Sequence, residues 1–177
     1  MTGTQNSPVM LLKSEQTNQE QLAGLSNLLI EKHWFLATAE SCTGGMIAAA
    51  CTDLAGSSSW FERGFVTYSN AAKVQMLDVD AALIAAHGAV SEPVARAMAL
   101  GAIRHSAAQV SVAVTGVAGP TGGSAAKPVG TVWFAWCVDS SLHSEVKCFS
   151  GNRADVRLAT VSHALGGLLG LLGKVTP

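Results

Sequence analysis

The residues of this chain best suited to do chemistry lie in two glycine-rich turns. The first is Glu40-Ser41-Cys42-Thr43-Gly44-Gly45, between the apolar run Trp34–Ala39 and the alanine-rich segment 46–54. If the run is a strand and the segment a helix, the turn sits at a helix N-terminus, where unpaired N–H groups and partial positive charge favour an anion. Gly44 and Gly45 carry no side chain to block approach. Such a turn could hold a phosphate or stabilise an oxyanion beside a nucleophile. Ser41 stands where a nucleophile would be exposed, and Cys42 and Thr43 are alternatives in the same turn. A plain helix cap at Ser41 or Thr43 is the commoner use of these residue types.

The second turn follows the apolar run Val110–Val114 and reads Thr115-Gly116-Val117-Ala118-Gly119-Pro120, with Gly122 and Gly123 just beyond. Glycines this dense behind a buried run point to backbone approaching a ligand, although ordinary surface loops also use them. Gly116, Gly119 and the Thr115 hydroxyl are the candidate contacts. Arg153, at the start of the last expected helix, could pair with a phosphate or carboxylate; a solvated arginine is the plain alternative.

A serine nucleophile needs a base. None of the five histidines, His33, His87, His105, His143 and His163, falls at a strand end beside a glycine turn, so each reads as a packing or surface residue. No convergent carboxylate pair stands out. Lys73 is the other option, in Tyr68-Ser69-Asn70-Ala71-Ala72-Lys73 just past a strand-like run. A lysine acts as a base only when its pKa falls from about 10.4 to about 7–8, which burial would have to supply. Otherwise Lys73 is a solvated surface residue. On the residues alone two further readings stay open. One is Cys42 as nucleophile, its thiol activated at the helix N-terminus. The other is a nucleotide-binding module without turnover, gripping phosphate with both turns.

The elements that must position these residues alternate. A helix is predicted from Thr17, where Thr17 and Glu20 have capping-box spacing and Leu22, Leu25 and Leu29 share a face. Strands are predicted over Trp34–Ala39, Phe65–Tyr68, Val110–Val114 and Thr131–Val138, with Ser144–Phe149 as a hairpin partner through Asp139–Leu142. Helices are predicted over Met46–Leu54, Asn70–Met76 and Ala81–Ala86, from Ser91 as N-cap, and over Asn152–Leu172. Gly166, Gly167 and Gly170 inside the last helix suggest close packing against a neighbour. Alternating strands and helices make an α/β layered domain, and the hairpin makes its sheet mixed, with one strand antiparallel. Ligands of such sheets sit beyond the carboxyl ends of the strands, so the two glycine turns are expected side by side at one edge.

At 177 residues the chain has room for one domain with a full core, expected over residues 16–177 behind a flexible tail at 1–15. A net charge of −1 without any basic run argues against nucleic acid as a partner. Cys42, Cys51, Cys137 and Cys148 form neither a C-x-x-C pair nor a metal-ligand spacing with the histidines, so no metal is expected. Reduced thiols fit a cytoplasmic protein. The first residues lack the apolar core of a signal peptide, and no apolar run reaches the roughly 20 residues of a membrane span.

Five runs then resemble one family. They are TAESCTGG (38–45), GSSSWFERGFVTYSNAAK (56–73), HGAVSEPVA (87–95), TGVAGPTGG (115–123) and KPVGTVWFA (127–135). Together they are similar to the CinA C-terminal family, and to its stand-alone, PncC-type nicotinamide-nucleotide amidases, from about Thr17 to Leu172. The resemblance implies a three-layer α/β/α sandwich over a mixed, mostly parallel sheet. It implies hydrolysis of the carboxamide of nicotinamide mononucleotide to nicotinate mononucleotide and ammonia, a step in recycling the pyridine ring, without metal or cofactor. Matched position by position, it implies Ser41 as nucleophile, Lys73 as general base and Tyr68 as an assisting hydroxyl, with Thr115 and Arg153 contacting the substrate. Backbone N–H groups of the first turn (Cys42, Thr43, Gly44, Gly45) or of the second (Gly116, Gly119) would hold the oxyanion or the phosphate, and which turn does which stays open.

Charged residues make up only 13% of the chain, about half the usual share. A surface so poor in charge is expected to be partly covered in a homo-oligomer. Sedimentation at micromolar concentration tests this, and a pure monomer would refute it.

Overall fold

The computed structural model describes residues 8–175, with side chains described from Thr17 onward. The helix α1 spans Pro8–Glu31, so it begins at Pro8 rather than at Thr17 and takes in part of the segment expected as a tail. Proline is tolerated in a first helical turn, and no glycine or proline follows it before Gly24. The rest of the expected tail lies outside the described residues. Thereafter come β1 (Leu36–Glu40), α2 (Met46–Asp53), β2 (Phe61–Val66), α3 (Asn70–Leu77), α4 (Ala81–His87), α5 (Glu92–Arg104), β3 (Val110–Gly116), β4 (Thr131–Val138), β5 (Ser141–Cys148) and α6 (Arg153–Leu172).

The sheet has the order β2-β1-β3-β4-β5. β1 pairs in parallel with β2 and β3, while β3–β4 and β4–β5 pair antiparallel. Four strands therefore point one way and β4 alone is reversed, as the hairpin predicted. Two details differ from the sequence reading. β2 lies earlier than Phe65–Tyr68, because its pairing with β1 ends at Glu40 opposite Val66, which leaves Tyr68 in the turn before α3. The hairpin turns at Asp139 and Ser140, both at positive φ (46° and 65°), the geometry of a tight two-residue turn. β5 therefore starts at Ser141 rather than Ser144.

Each central strand alternates large and small side chains. Leu36, Val110, Val112, Val114, Val132, Phe134 and Trp136 pack into one core with α1, α2 and α6. Ala37, Ala39, Ala113 and Ala135 face a second core with α3, α4 and α5. The small face lets α5 lie close, and α3 lies close to α5 in turn: a Cβ on Gly101 would stand 2.2 Å from the Leu77 carbonyl. On the other side Gly167 of α6 sits against the Trp136 ring, whose Nε1 donates to the Ala164 carbonyl at 3.0 Å. The expected close packing thus holds at Gly167 and at Gly166, where a Cβ would stand 3.0 Å from Gln21 Nε2 of α1, whereas a Cβ on Gly170 would meet nothing within 4 Å.

The same alternation decides the turn after β1. Leu36, Thr38 and Glu40 share the face toward α2. Glu40 is fully buried, and its carboxylate accepts from Thr43 Oγ1 (2.7 Å) and from the backbone N–H groups of Gly45, Ile47 and Ala48 (3.0, 3.0 and 2.8 Å). An acid from the strand thus supplies the missing partners of the α2 N-terminus. Gly45 reaches this position at φ 100°, a left-handed value that glycine adopts without strain.

Glu40→Gln keeps the volume but replaces one of two acceptor oxygens by an NH2 group facing donors. We expect a stability loss of roughly 2–4 kcal/mol, read as a lower urea midpoint with an unchanged m-value. A midpoint equal to the parent's would show that the turn does not depend on the carboxylate.

Candidate active site

At the carboxyl ends of the three parallel strands Glu40 stands opposite both Val66 and Val114; β1 and β2 end there, and β3 runs on to Gly116. The Ser41 N–H donates to the Val114 carbonyl at 3.0 Å, and the Thr67 N–H donates to the Glu40 carbonyl at 2.8 Å. The two glycine turns therefore leave the sheet side by side, as expected, and the chain leading to α3 flanks the first of them. β1 lies where the connections depart in opposite directions, the usual ligand site of an open α/β sheet.

One residue past Glu40 the chain direction brings Ser41 toward α3 instead of α2. Ser69 caps α3 by accepting from the Ala72 N–H at 3.0 Å, and this first turn carries Lys73 inward. Lys73 is 1% exposed. Its Nζ lies 2.9 Å from Ser41 Oγ and donates to the Thr67 carbonyl at 2.8 Å. Burial lowers the Lys73 pKa from 10.5 to about 8, the Cys42 thiol pulling weakly the other way. The Thr67 carbonyl occupies one N–H of the amine. A neutral amine at this distance is free to turn its lone pair toward the serine hydroxyl.

Cys42 is buried beside Ser41, and its pKa is pushed up to about 11, mainly by burial, with the Glu40 charge adding to it. A thiol in this state stays protonated at neutral pH, which is opposite to the activation expected of a helix N-terminus. The N–H groups of Cys42 and Thr43 lower its pKa by less than burial raises it, and those of Gly45, Ile47 and Ala48 serve Glu40.

A cavity of about 210 Å³ opens over the pair. Of the residues singled out in the sequence, Ser41, Cys42, Tyr68, Lys73, Thr115, Gly116 and Arg153 line it. Thr43, Gly44, Gly45 and Gly119 do not. Thr43 is turned to Glu40, the Gly44 N–H donates to the Ser41 carbonyl at 3.2 Å, and the Gly119 carbonyl accepts from Arg153 at 2.9 Å. Thr115 Oγ1 donates to the Ala89 carbonyl at 2.9 Å. Tyr68 is 61% exposed at the mouth, and its hydroxyl accepts from Arg153 at 3.0 Å rather than meeting Ser41 or Lys73. None of the histidines lines the cavity. Sequence reasoning missed Asn70, Ala89, Val90 and Ala118 in the wall, and it missed Glu40 and Arg157 behind it. Arg157 donates to the Thr43 carbonyl at 2.8 Å. Only Glu40 left a sequence signal, an acid directly at the end of a buried apolar run.

Among the described residues no three His, Cys, Asp or Glu side chains gather as a metal cluster, and no helix is long and apolar enough to cross a membrane.

The chain is similar to known proteins over nearly its whole length. The protein named nicotinamide-nucleotide amidohydrolase PncC of Enterobacter agglomerans is 50% identical over 153 residues, covering 86% of this chain and 93% of that one. Its namesake of Pseudomonas putida is 57% identical over 136 residues, covering 77% and 85%. Among solved structures, the competence damage-inducible protein A of Klebsiella pneumoniae superposes with a TM-score of 0.86 at 38% identity, covering 90% of this chain and 99% of that one. Residues 18–172 match the CinA C-terminal domain, and the chain belongs to that family.

Proposed function

We propose that this chain hydrolyses the carboxamide of nicotinamide mononucleotide, with Ser41 as nucleophile and Lys73 as general base. The observation that carries the mechanism is the 2.9 Å contact between Ser41 Oγ and a buried Lys73 whose pKa is lowered to about 8. The names of the relatives support the substrate.

Neutral Lys73 takes the Ser41 proton as Oγ attacks the amide carbon. The tetrahedral oxyanion falls to the wall that carries Gly116 and Ala118, since the N–H groups of α2 are spent on Glu40. Lys73 then gives its proton to the departing nitrogen, the C–N bond breaks, and ammonia leaves an ester on Ser41. Water attacks that ester, Lys73 takes the water proton and returns it to Ser41, and the nicotinate carboxylate is released. Tyr68 and Arg153, joined at the mouth, orient the ring above the serine. The four cysteines are free, which suits the reducing cytoplasm where we place the protein.

Ammonia release from nicotinamide mononucleotide tests this directly. Ser41→Ala is expected to lower kcat on the order of 10³-fold or more, while Cys42→Ala retains most activity. The parent kcat/KM should rise with pH through about 8, as Lys73 loses its proton. Tight nucleotide binding with no ammonia from the parent would favour a binding module instead, and an intact Ser41→Ala would move the nucleophile elsewhere.

Lys73 also leaves a mark on stability. Its folded pKa of about 8 lies below the unfolded 10.5, so the unfolded chain holds the extra proton between these values. Stability from this group therefore rises as pH climbs from 8 to 10.5, and below 8 the buried cation costs about 3 kcal/mol. A Lys73→Met variant lacks this dependence. Its melting temperature relative to the parent should be highest near pH 7 and fall as the pH passes 8 toward 10. A difference independent of pH would refute the lowered pKa.

A further inference from the structure

Beside the dyad cavity lies a larger one of about 660 Å³, and the two share Ala118 and Arg153 in their walls. We propose that this second cavity is the subsite for the phosphomonoester end of the substrate, and that Arg157 is the residue that reads it. The proposal rests on the amidase reading of the dyad.

Arg153 and Arg157 are four residues apart on the first turns of α6, so they share a face, and both line the second cavity. Their hydrogen bonds go to neutral oxygens: Arg153 to the Gly119 carbonyl and the Tyr68 hydroxyl, Arg157 to the Thr43 carbonyl. These bonds leave the guanidinium charge uncompensated. Arg157 Nε is moreover a buried donor without a partner, so the side chain beside this cavity has donor capacity that the fold leaves unused. The helix terminus itself does not supply the site. Asn152 caps it, accepting from the Ala154 and Asp155 N–H groups at 2.8 and 3.2 Å. What remains is a guanidinium fork, which matches the paired oxygens of a phosphate. Beside Gly151 and the capping Asn152, the wall carries an apolar stretch, Ala118, Pro120, Val129 and Ala154, that suits the carbon face of a sugar.

The position fits a substrate with two ends. The small cavity holds the group that Ser41 attacks, and the remainder of a nucleotide continues past Arg153 into the larger space. Arg157 also grips the Thr43 carbonyl, two residues beyond Ser41. An anion held by Arg157 is therefore joined through one side chain to the turn that carries the nucleophile, and binding energy at the remote end can act at the reacting one.

The test compares nicotinamide mononucleotide with nicotinamide riboside, the same amide without phosphate, in the parent, Arg157→Gln and Arg157→Lys. Binding of ribose 5-phosphate is measured calorimetrically on the same proteins. The parent should prefer the phosphorylated amide. In Arg157→Gln the ratio of kcat/KM for the two amides should drop about tenfold, chiefly through KM, and ribose 5-phosphate should bind about tenfold more weakly. Arg157→Lys, which keeps the charge without the fork, should fall between them, and it carries the comparison if the glutamine variant does not fold. Equal losses on both amides would overturn the proposal, leaving Arg157 as a brace for Thr43 alone. Unchanged ribose 5-phosphate binding would overturn it as well. If the parent turned over neither amide, the amidase reading would fall, while weakened ribose 5-phosphate binding in the variant would still support the subsite.

Discussion

The buried carboxylate of Glu40 is the constraint on which the site depends. Consecutive side chains of a strand point to opposite faces, so an acid at the end of β1 that points to α2 leaves the next residue to turn toward α3. Glu40 collects three backbone N–H groups and the Thr43 hydroxyl. That fixes the start of α2, and with it the backbone of Cys42, Thr43 and Gly44. Ser41 is pinned from the other side by its N–H on the Val114 carbonyl. A hydroxyl on an unheld loop would lose much of its time to unproductive rotamers and positions, and effective concentration falls steeply with such freedom.

Glu40 also explains why serine rather than its neighbour carries the chemistry. A free helix N-terminus would draw the Cys42 thiol toward its anion. With the terminus already occupied by a carboxylate, Cys42 meets burial and a nearby negative charge, and its pKa rises to about 11. Lys73 is affected oppositely by the same dryness, since burial removes charge from an amine as it does from a thiol, and for an amine the neutral form is the base. One apolar environment thus silences the thiol and activates the amine. The cost is a cation buried in the fold below pH 8, which the packing of α3 against α5 at Gly101 has to sustain.

Much of this was legible in the sequence, and the reasons differ by residue. Ser41 and the Gly116 turn showed themselves because both follow buried apolar runs, and parallel strands of a layered fold end at one edge. Lys73 could not be told from a surface lysine by its neighbours; only the family pattern singled it out, because its burial arises from the packing of α3, β2 and α5, elements scattered along the chain. The roles suggested for Gly44 and Gly45 assumed that a helix N-terminus is open. Glu40 closes it, and its orientation follows from a strand register that the sequence does not display. Tyr68 looked like part of a strand because Phe65-Val66-Thr67-Tyr68 is uniformly strand-like, yet the parallel partner ends at Glu40. Arg157 gave no sign at all, being one polar residue among many on an amphipathic helix.

The remaining step concerns Arg153, which stands between the two cavities. Its guanidinium reaches back to the Gly119 carbonyl and across to the Tyr68 hydroxyl, so the second glycine turn, the approach to α3 and the first turn of α6 meet at one side chain. Arg157, one turn further along the same helix, ties α6 to the first glycine turn. Both glycine turns and the approach to α3 are thereby linked to the start of α6, although α6 packs in the layer opposite α3. Each link ends on a neutral oxygen, which holds geometry without neutralising the cation. A site assembled from turns on both faces of a sheet needs such cross-ties, and guanidinium groups make them while leaving positive charge beside the cavities for an anionic substrate.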